Sequence, residues 1–349
     1  MLTSSITHNF YKRDFSCSPN TKLYCIKKRT LKVFWMVILA AAFAIIVVNY
    51  FSEVRSDRFP DRDLYLEKIP SLISLDDKYD IPTDNVFRIL FSEIGWRYLL
   101  ISVGLHFDDF ERGLNLISFV TLFIFTLFCI QYRKPRYITF IFLLNPIVID
   151  LVMSQQRSAF AMAVFMTGLM LSRLTGKRAL LLVGGLTAQS IHFTFIIFFA
   201  IYMLAQYLST KFLSYNFNVR KIFAVGCGIL LSLSILFSRT MLYNLSDNYK
   251  FVLDYGSSTV LSSFFWFCLL LALIVLSKRK AVRSWQYCYA IVLLTLFIIF
   301  TLSNFYNTRF LALSFPIILN SLRDTTKSAQ PLLYAGLLIY QCALYSYWL

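Results

Sequence analysis

The sequence predicts an all-α integral membrane protein with about ten or eleven transmembrane helices. Hydrophobic residues make up 58% of the 349 residues, and charged residues only 15%. A soluble domain cannot cover its surface with so few charges. The apolar residues also occur in long runs separated by short polar segments, which is typical of membrane-spanning helices.

Nine apolar runs are long enough, or nearly long enough, to cross a bilayer. A hydrocarbon core of about 30 Å requires roughly 20 helical residues, and somewhat fewer where neighbouring helices shield a span. The stretch 179–208 is different, because it is too long for one ordinary span and short for two. The clear candidates for single spans are 32–51, 115–130, 138–153, 158–172, 222–241, 260–277, 286–303, 310–322 and 332–348.

Clusters of Lys and Arg determine the predicted orientation. Cytoplasmic loops of membrane proteins carry an excess of these residues, so we place the basic clusters in the cytoplasm. All of them lie on one side only if 179–208 leaves the cytoplasm and returns. We therefore predict that 179–208 is a hairpin of two short helices, or a re-entrant pair, with its apex near 189–192. The basic clusters are the N-terminal tail and the loops near 133–136, 173–178, 211–221, 278–283 and 323–327.

The predicted organisation is a cytoplasmic tail, 1–31, followed by a single membrane domain, 32–349. A long external loop, 52–114, holds most of the 18 acidic residues, and its segment 89–105 is expected to form a helix at the membrane surface. The seven cysteines form no CxxC pair, so the sequence predicts neither a disulfide framework nor a zinc site. The net charge of +16 lies in short clusters between apolar runs, which does not favour binding of nucleic acid.

With this threading, rare polar residues beside the apolar runs meet at the external face. Arg157 begins the run 158–172, and its planar guanidinium matches the oxygens of a lipid pyrophosphate. The structural alternative is an interfacial anchor whose charged end reaches the membrane surface. His192 is the one histidine inside an apolar segment and can accept a proton near neutral pH. Its structural alternative is a histidine satisfied by a single hydrogen-bond partner.

Residues of the external segments complete this set. Glu93 stands beside an aromatic residue, a usual setting for contact with sugars, and its alternative is an exposed amphipathic face. Asp61 and Asp63 have a spacing that can hold a divalent metal against a phosphate or supply a base, although short Asp pairs are also common in solvated loops. Arg309 follows a polar break that contains Tyr306, and both residues also fit an interfacial belt.

Five short motifs, taken in order, are Arg-Asp-Leu-Tyr at 62–65, Glu-Ile-Gly-Trp-Arg-Tyr-Leu at 93–99, Gln-Arg-Ser-Ala-Phe-Ala at 156–161, Gln-Ser-Ile-His-Phe at 189–193 and Thr-Arg-Phe at 308–310. Their order and spacing resemble the Wzy-type O-antigen and exopolysaccharide repeat-unit polymerases of the EpsG-like family. The resemblance covers most of the membrane domain. The first motif departs most from the family pattern, because charged residues precede Asp63 where small residues are usual.

The resemblance implies a glycosyltransferase of the bacterial inner membrane with its active face in the periplasm. Such an enzyme transfers a nascent glycan from undecaprenyl pyrophosphate to a new lipid-linked repeat unit. It implies no cofactor, and no metal is expected to be obligatory, because arginines can neutralise the leaving group. The expected partners are the undecaprenyl-pyrophosphate-linked oligosaccharide, membrane lipids and a chain-length regulator protein. The expected catalytic residues are His192, Arg157, Glu93 and Asp63, and the expected substrate-binding residues are Arg62, Tyr65, Gln156, Arg309 and Tyr306.

Two other functions remain open at this point. A membrane glycosyltransferase that uses a polyprenyl-phosphate sugar would employ Asp61 and Asp63 as an acidic motif in the first external loop. A flippase for the lipid-linked unit would place ionisable residues near the bilayer midplane and is often built from internal repeats. The sequence shows no such repeat, and its rare charges lie at one boundary. A non-catalytic scaffold would leave the clustered Arg, His and acidic residues unexplained.

Overall fold

The computed structural model describes residues 19–54, 59–73, 93–132, 137–211, 216–245, 260–303 and 308–348. Within these ranges the chain is all-α and contains no β-strand, which confirms the predicted class. The fourteen α-helices of these ranges are α1 Pro19–Val54, α2 Pro60–Ile73, α3 Ile94–His106, α4 Phe110–Tyr132, α5 Tyr137–Leu143, α6 Pro146–Met153, α7 Gln156–Thr175, α8 Ala179–Ile191, α9 Phe195–Lys211, α10 Phe217–Leu245, α11 Val260–Val275, α12 Trp285–Leu302, α13 Thr308–Ser321 and α14 Gln330–Trp348.

Several helices have the length and composition of membrane spans. In the described part of the chain, α1, α4, α7, α10 and α12 contain the five segments that are long and apolar enough to cross a bilayer. Three shorter apolar helices, α8, α9 and α11, accompany them. The outer face of α10 exposes large apolar side chains, including Ile222 at 70% and Leu230 at 67%. Lipid tolerates such a surface and water does not, so the arrangement agrees with a multi-pass membrane protein.

The predicted single span 138–153 is wrong in one respect, because the structure divides it into α5 and α6. Pro146 has no N–H to continue the first helix, and it occupies the first position of the second helix, where proline is tolerated. The side chain of Asn145 caps the new N-terminus by accepting a hydrogen bond from the backbone N–H of Ile147 at 3.1 Å. As a result, the short helix α6 ends directly beside the beginning of α7.

The stretch 179–208 contains two helices, α8 and α9, joined at 192–194. The chain leaves the helical conformation at His192, which is extended with φ −146° and ψ 111°. Close packing fixes α8 against α7, since a Cβ on Gly168 would lie 3.0 Å from the Cα of Gly184. Because α8 runs back along α7, this contact brings the end of α8 to the beginning of α7.

The long external loop predicted at 52–114 contains two helices in its described part. Helix α2 follows the first apolar segment, and α3 lies within the predicted helical stretch 89–105 except for its last residue. α3 packs against both α2 and α8. Helix α1 begins at Pro19, so it extends into the predicted tail 1–31, whose first 18 residues lie outside the described ranges.

Helices α7 and α13 connect two polar regions at the ends of the bundle. With a rise of about 1.5 Å per residue, the 20-residue helix α7 is roughly 30 Å long. We call the end that contains the first turns of α2, α7 and α13 the site end. The far end contains the last turns of α7, α11 and α13 and the beginning of α12. α12 packs against α9, α10, α11 and α13 and forms the most buried helix between them.

Candidate functional site

Three ionisable side chains from separate helix ends form one hydrogen-bonded group, which we call the central triad. Glu93 precedes α3, Arg157 lies in the first turn of α7, and His192 follows α8. One carboxylate oxygen of Glu93 accepts a hydrogen bond from Arg157, and the other lies 2.7 Å from Nδ1 of His192. The Glu93 and His192 side chains are 15% and 13% exposed, whereas that of Arg157 is 33% exposed. The acid and the histidine are thus shielded, and the guanidinium is the most accessible member.

The backbone before α3 is shaped to direct Glu93 toward the other two residues. Glu93 has φ 53° and ψ 43°, a left-handed conformation that is uncommon for residues other than glycine. Gly95 lies so close to the end of α8 that an added Cβ would approach Ser190 Oγ to 2.7 Å and its carbonyl oxygen to 3.1 Å. Backbone strain of this kind persists where surrounding contacts hold it, and it is typical of functional sites.

The charge state of the triad follows from burial and from its internal contacts. Burial by itself raises the pKa of Glu93, but the hydrogen bond from His192, the charge of Arg157 and the N–H of Phe193 bring that pKa below its ordinary value. Burial is also the largest effect on His192 and lowers its pKa, and the charge of Arg157 lowers it further against the opposing effect of Glu93. At neutral pH the triad therefore consists of a carboxylate, a guanidinium and a neutral imidazole.

The contacts of His192 also determine which ring nitrogen carries the proton. An ionised carboxylate only accepts hydrogen bonds, so Nδ1 is the N–H that donates to Glu93. Nε2 then has a free lone pair, and the Thr194 hydroxyl donates to it at 2.6 Å. The imidazole is thus oriented by an acid on one side and presents a basic nitrogen on the other.

A second ion pair lies near the triad. Arg309 at the start of α13 donates to Asp61 in the first turn of α2 at 3.3 Å. Tyr65, one turn after Asp61, lies near both groups, because its phenol interacts electrostatically with Arg157, Asp61, Glu93 and Arg309. Burial is the largest effect on Tyr65 and raises its pKa, so the phenol stays protonated and can donate a hydrogen bond. We call the triad, this pair and Tyr65 together the polar cluster.

Four helix N-termini meet at the polar cluster. Asp61 and Arg309 stand at the second positions of α2 and α13, Arg157 at the second position of α7, and Glu93 immediately before α3. The N-terminus of a helix carries a partial positive charge and unpaired N–H groups, both of which favour anions. The field of these helices stabilises the two carboxylates and favours the binding of a further anionic group.

Sequence reasoning missed Asp150, which lies in this region. Asp150 in α6 interacts electrostatically with Asp61 and Arg309, and it accepts a hydrogen bond from the side chain of Gln155 at 3.3 Å. A signal was present, since Asp150 is a charged residue inside the apolar run 138–153, and such residues often have functional roles. The sequence predicts one continuous span over this run, which does not connect Asp150 with the external face.

Several predicted site residues lie elsewhere. The guanidinium of Arg62 is buried and pairs with Glu111 at 2.7 Å, which joins α2 to α4. Gln156 is fully buried, and its amide donates to Leu114 O at 3.1 Å and Ser118 Oγ at 2.8 Å in α4. Both residues therefore connect helices instead of facing the polar cluster.

The last two predicted site residues are Asp63 and Tyr306. Asp63 is exposed on α2 and interacts electrostatically with Arg62. Tyr306 lies outside the described residues.

The Asp61 and Asp63 spacing does not form a paired-carboxylate site here. Both residues lie in the first turns of α2, and side chains two positions apart on a helix do not face each other. Asp61 is also occupied by Arg309. Among the residues that the structure describes, no group of three His, Cys, Asp or Glu side chains has an arrangement that could hold a metal ion.

Comparisons with protein-family models, with curated proteins and with solved structures found no match for this chain. The interpretation of the site therefore depends on its own residues and geometry. The chemistry available at the polar cluster is an oriented neutral imidazole beside two partly exposed arginines. Such an arrangement can remove a proton from a hydroxyl and bind a phosphate next to it.

Proposed function

We propose that this chain is a polysaccharide polymerase of the bacterial inner membrane. It transfers a nascent glycan from undecaprenyl pyrophosphate to the sugar of a new lipid-linked repeat unit at the periplasmic face. The observation that carries the proposal is the contact of Glu93 with both His192 and Arg157, which unites a base with an anion-binding group. The resemblance of the sequence motifs to the EpsG-like family points to the same reaction.

In this proposal His192 is the general base. Its Nε2 is unprotonated at neutral pH, because Glu93 fixes the proton on Nδ1 and burial lowers the pKa of the ring. A base with a pKa near or below the working pH is available in its active form. Glu93 is a positioning residue, since both of its oxygens and its charge are used to hold His192 and Arg157.

The two partly exposed arginines are the proposed pyrophosphate ligands. Arg157 is 33% exposed and Arg309 is 40% exposed, and Glu93 and Asp61 hold these guanidinium groups in place, where their planar forks match the oxygens of a phosphate. The helix N-termini beside them add to the attraction of an anion. Arginines fixed in this way stabilise charge on a leaving group without reorganising during the reaction.

These residues account for both the proton and the electron pair that move during the transfer. The acceptor hydroxyl loses its proton to His192 as its oxygen bonds to the anomeric carbon of the nascent glycan. The bond from that carbon to the pyrophosphate oxygen breaks, and its electron pair leaves with undecaprenyl pyrophosphate. Arg157 and Arg309 neutralise the departing charge, and the proton on His192 passes to solvent. Tyr65 is placed to donate a hydrogen bond to a sugar or phosphate oxygen.

The proposal also includes the finer topology. The chain crosses the membrane about ten or eleven times, with the basic loops in the cytoplasm, and α8 and α9 form a hairpin that leaves the cytoplasmic side and returns to it, with its apex at the periplasmic face. The site end then faces the periplasm. The position of His192 between these two helices, at the level of the first turn of α7, supports this orientation.

The test is the surface glycan of a deletion strain that is complemented with single variants. We expect wild-type protein to restore a ladder of long chains, and His192→Ala and Arg157→Ala to leave glycan capped with one repeat unit. The matched controls are His106→Ala, which removes an exposed histidine of α3, and Arg173→Ala, at the far end of α7. Both controls should restore the ladder, with equal amounts of protein in the membrane.

Two results would contradict the proposal. Complete absence of the repeat unit from the surface of the His192→Ala and Arg157→Ala strains would indicate a role in export. Long chains that lack only a side-branch sugar would indicate a glycosyltransferase that uses a polyprenyl-phosphate sugar.

A further inference from the structure

The proposed reaction leaves one contact of His192 unexplained. Thr194 Oγ1 lies 2.6 Å from Nε2, the nitrogen that must receive the proton of the acceptor hydroxyl. His192 is 13% exposed, and Thr194 is partly buried, so the approach of a bulky sugar to Nε2 is restricted. The threonine hydroxyl therefore occupies the position on Nε2 that the acceptor hydroxyl would need.

We infer that the Thr194 hydroxyl relays the proton from the acceptor sugar to His192. The inference deepens the proposed function and depends on it. The acceptor O–H gives its proton to Thr194 Oγ1 as the Thr194 proton moves to Nε2. The acceptor oxygen then bonds to the anomeric carbon, and the bond to pyrophosphate breaks. The imidazolium that forms is stabilised by Glu93 on its other side.

The order of contacts supports this assignment. Glu93, His192 and Thr194 form a continuous chain of hydrogen bonds at 2.7 and 2.6 Å, and its direction is fixed because the carboxylate only accepts. A neutral imidazole with Nδ1–H must accept at Nε2, so the Thr194 hydrogen points toward the ring. Its oxygen lone pairs then face away from His192, which is the orientation needed to accept a proton from a substrate.

Thr194 also precedes α9, so a structural role must be separated from the relay. A threonine before a helix often caps its N-terminus, and Ser, Asp and Asn cap as well or better. Ser retains both the cap and the donor, Val loses both, and Asp retains the cap but cannot donate when it is ionised. These three variants therefore distinguish a relay from a cap.

The activity test uses purified full-length protein and the lipid-linked repeat units extracted from the deletion strain. General base catalysis contributes roughly 10²- to 10⁴-fold, so we expect Thr194→Val to lower the rate at least tenfold, while Thr194→Ser stays within about threefold of the wild-type rate. In Thr194→Asp the new carboxylate would favour the protonated form of His192. The acid limb of the pH–rate profile should therefore move to higher pH. If Thr194→Val reacts at the wild-type rate, or if Thr194→Asp has the wild-type rate and pH profile, the relay is refuted.

A second measurement does not depend on the glycan. The chain has only three histidines, so protein labelled with ¹⁵N-histidine gives few ring signals, and a His192→Gln sample assigns the one of interest. We expect the His192 Nε2 signal to be unprotonated and hydrogen-bonded at neutral pH, and to move in Thr194→Val but not in Thr194→Ser. A His192 Nε2 signal that stays at the same position in both variants refutes the relay. The expected signal without any polymerisation by wild-type protein would instead refute the proposed function alone.

Discussion

The two ends of the bundle use charged side chains in different ways. At the site end, charged groups from separate helices bind one another, as in the Arg157, Glu93 and His192 group. At the far end two lysines bind the backbone instead, since Lys278 Nζ donates to Arg323 O at 3.0 Å and Lys221 donates to Ile274 O.

The difference between the two ends distinguishes side chains that can bind a ligand from side chains that hold helices together. The carbonyls at the end of a helix lack partners within the helix, and cations stabilise them. The far-end lysines therefore complete the fold. The site-end side chains satisfy each other without completing a helix end, and they retain partly exposed donors, as in Arg157 and Arg309. In the proposed function these donors bind the pyrophosphate of the substrate.

The largest expected effect comes from removing the charge of Glu93. Glu93→Gln keeps the size of the side chain but no longer fixes the His192 proton on Nδ1 or neutralises Arg157. We expect the polymerisation rate to fall by roughly 10²- to 10⁴-fold. Because Glu93 raises the pKa of His192 against burial, the residual activity should have its acid limb at lower pH than that of the wild-type protein.

The wild-type pH profile gives the reference for this shift. In the proposed mechanism the base is neutral His192, whose pKa lies below the ordinary value of about 6.5, so the rate should fall only below that pH. Stability should decline in the same window, because the unfolded chain binds the proton first as pH falls. A Glu93→Gln protein with a wild-type rate, or with an acid limb moved to higher pH, would contradict the triad.

An intermediate effect is expected from Gly95→Ala. The new Cβ would meet Ser190 at 2.7 Å from Oγ, which can rotate away, and at 3.1 Å from the backbone, so α3 must shift from α8 by a small fraction of an ångström and carry Glu93 with it. A displacement of about 1 Å can cost up to roughly 10²-fold in rate, and we expect this smaller shift to lower the rate severalfold in the same polymerisation assay. Gly336→Ala is the matched control, since nothing lies within 4 Å of its added Cβ. Equal losses in both variants would show that α3 does not set the position of Glu93.

The sequence was sufficient for the helical class and for part of the cluster. Charge counting placed Arg157 and His192 at one level, and the structure brings them to the same carboxylate. It could not distinguish neighbours within a motif, because consecutive residues of a helix point about 100° apart. Gln156 beside Arg157 and Arg62 beside Asp61 therefore face other helices.

The remaining features depend on tertiary contacts that have no local pattern. The left-handed backbone of Glu93 lies two residues before the close contact of Gly95 with α8, which is distant in the sequence. Asp150 lies near the polar cluster because a new helix begins at Pro146, after the preceding helix has ended. A proline inside a predicted span can thus indicate that an acid after it belongs to a helix end.

The smallest expected effect lies at the far end. Lys278→Met removes one hydrogen bond to the carbonyl of Arg323 and leaves the polar cluster unchanged. The loss should lower the free energy of unfolding by about 1 kcal/mol, because a single bond contributes about that much and the residue is partly buried. Thermal unfolding in detergent measures this change, and the glycan ladder of the complemented strain should keep its wild-type length distribution. A shortened ladder with unchanged stability would mean that the far end also takes part in polymerisation, and the contrast between the two ends would then fail.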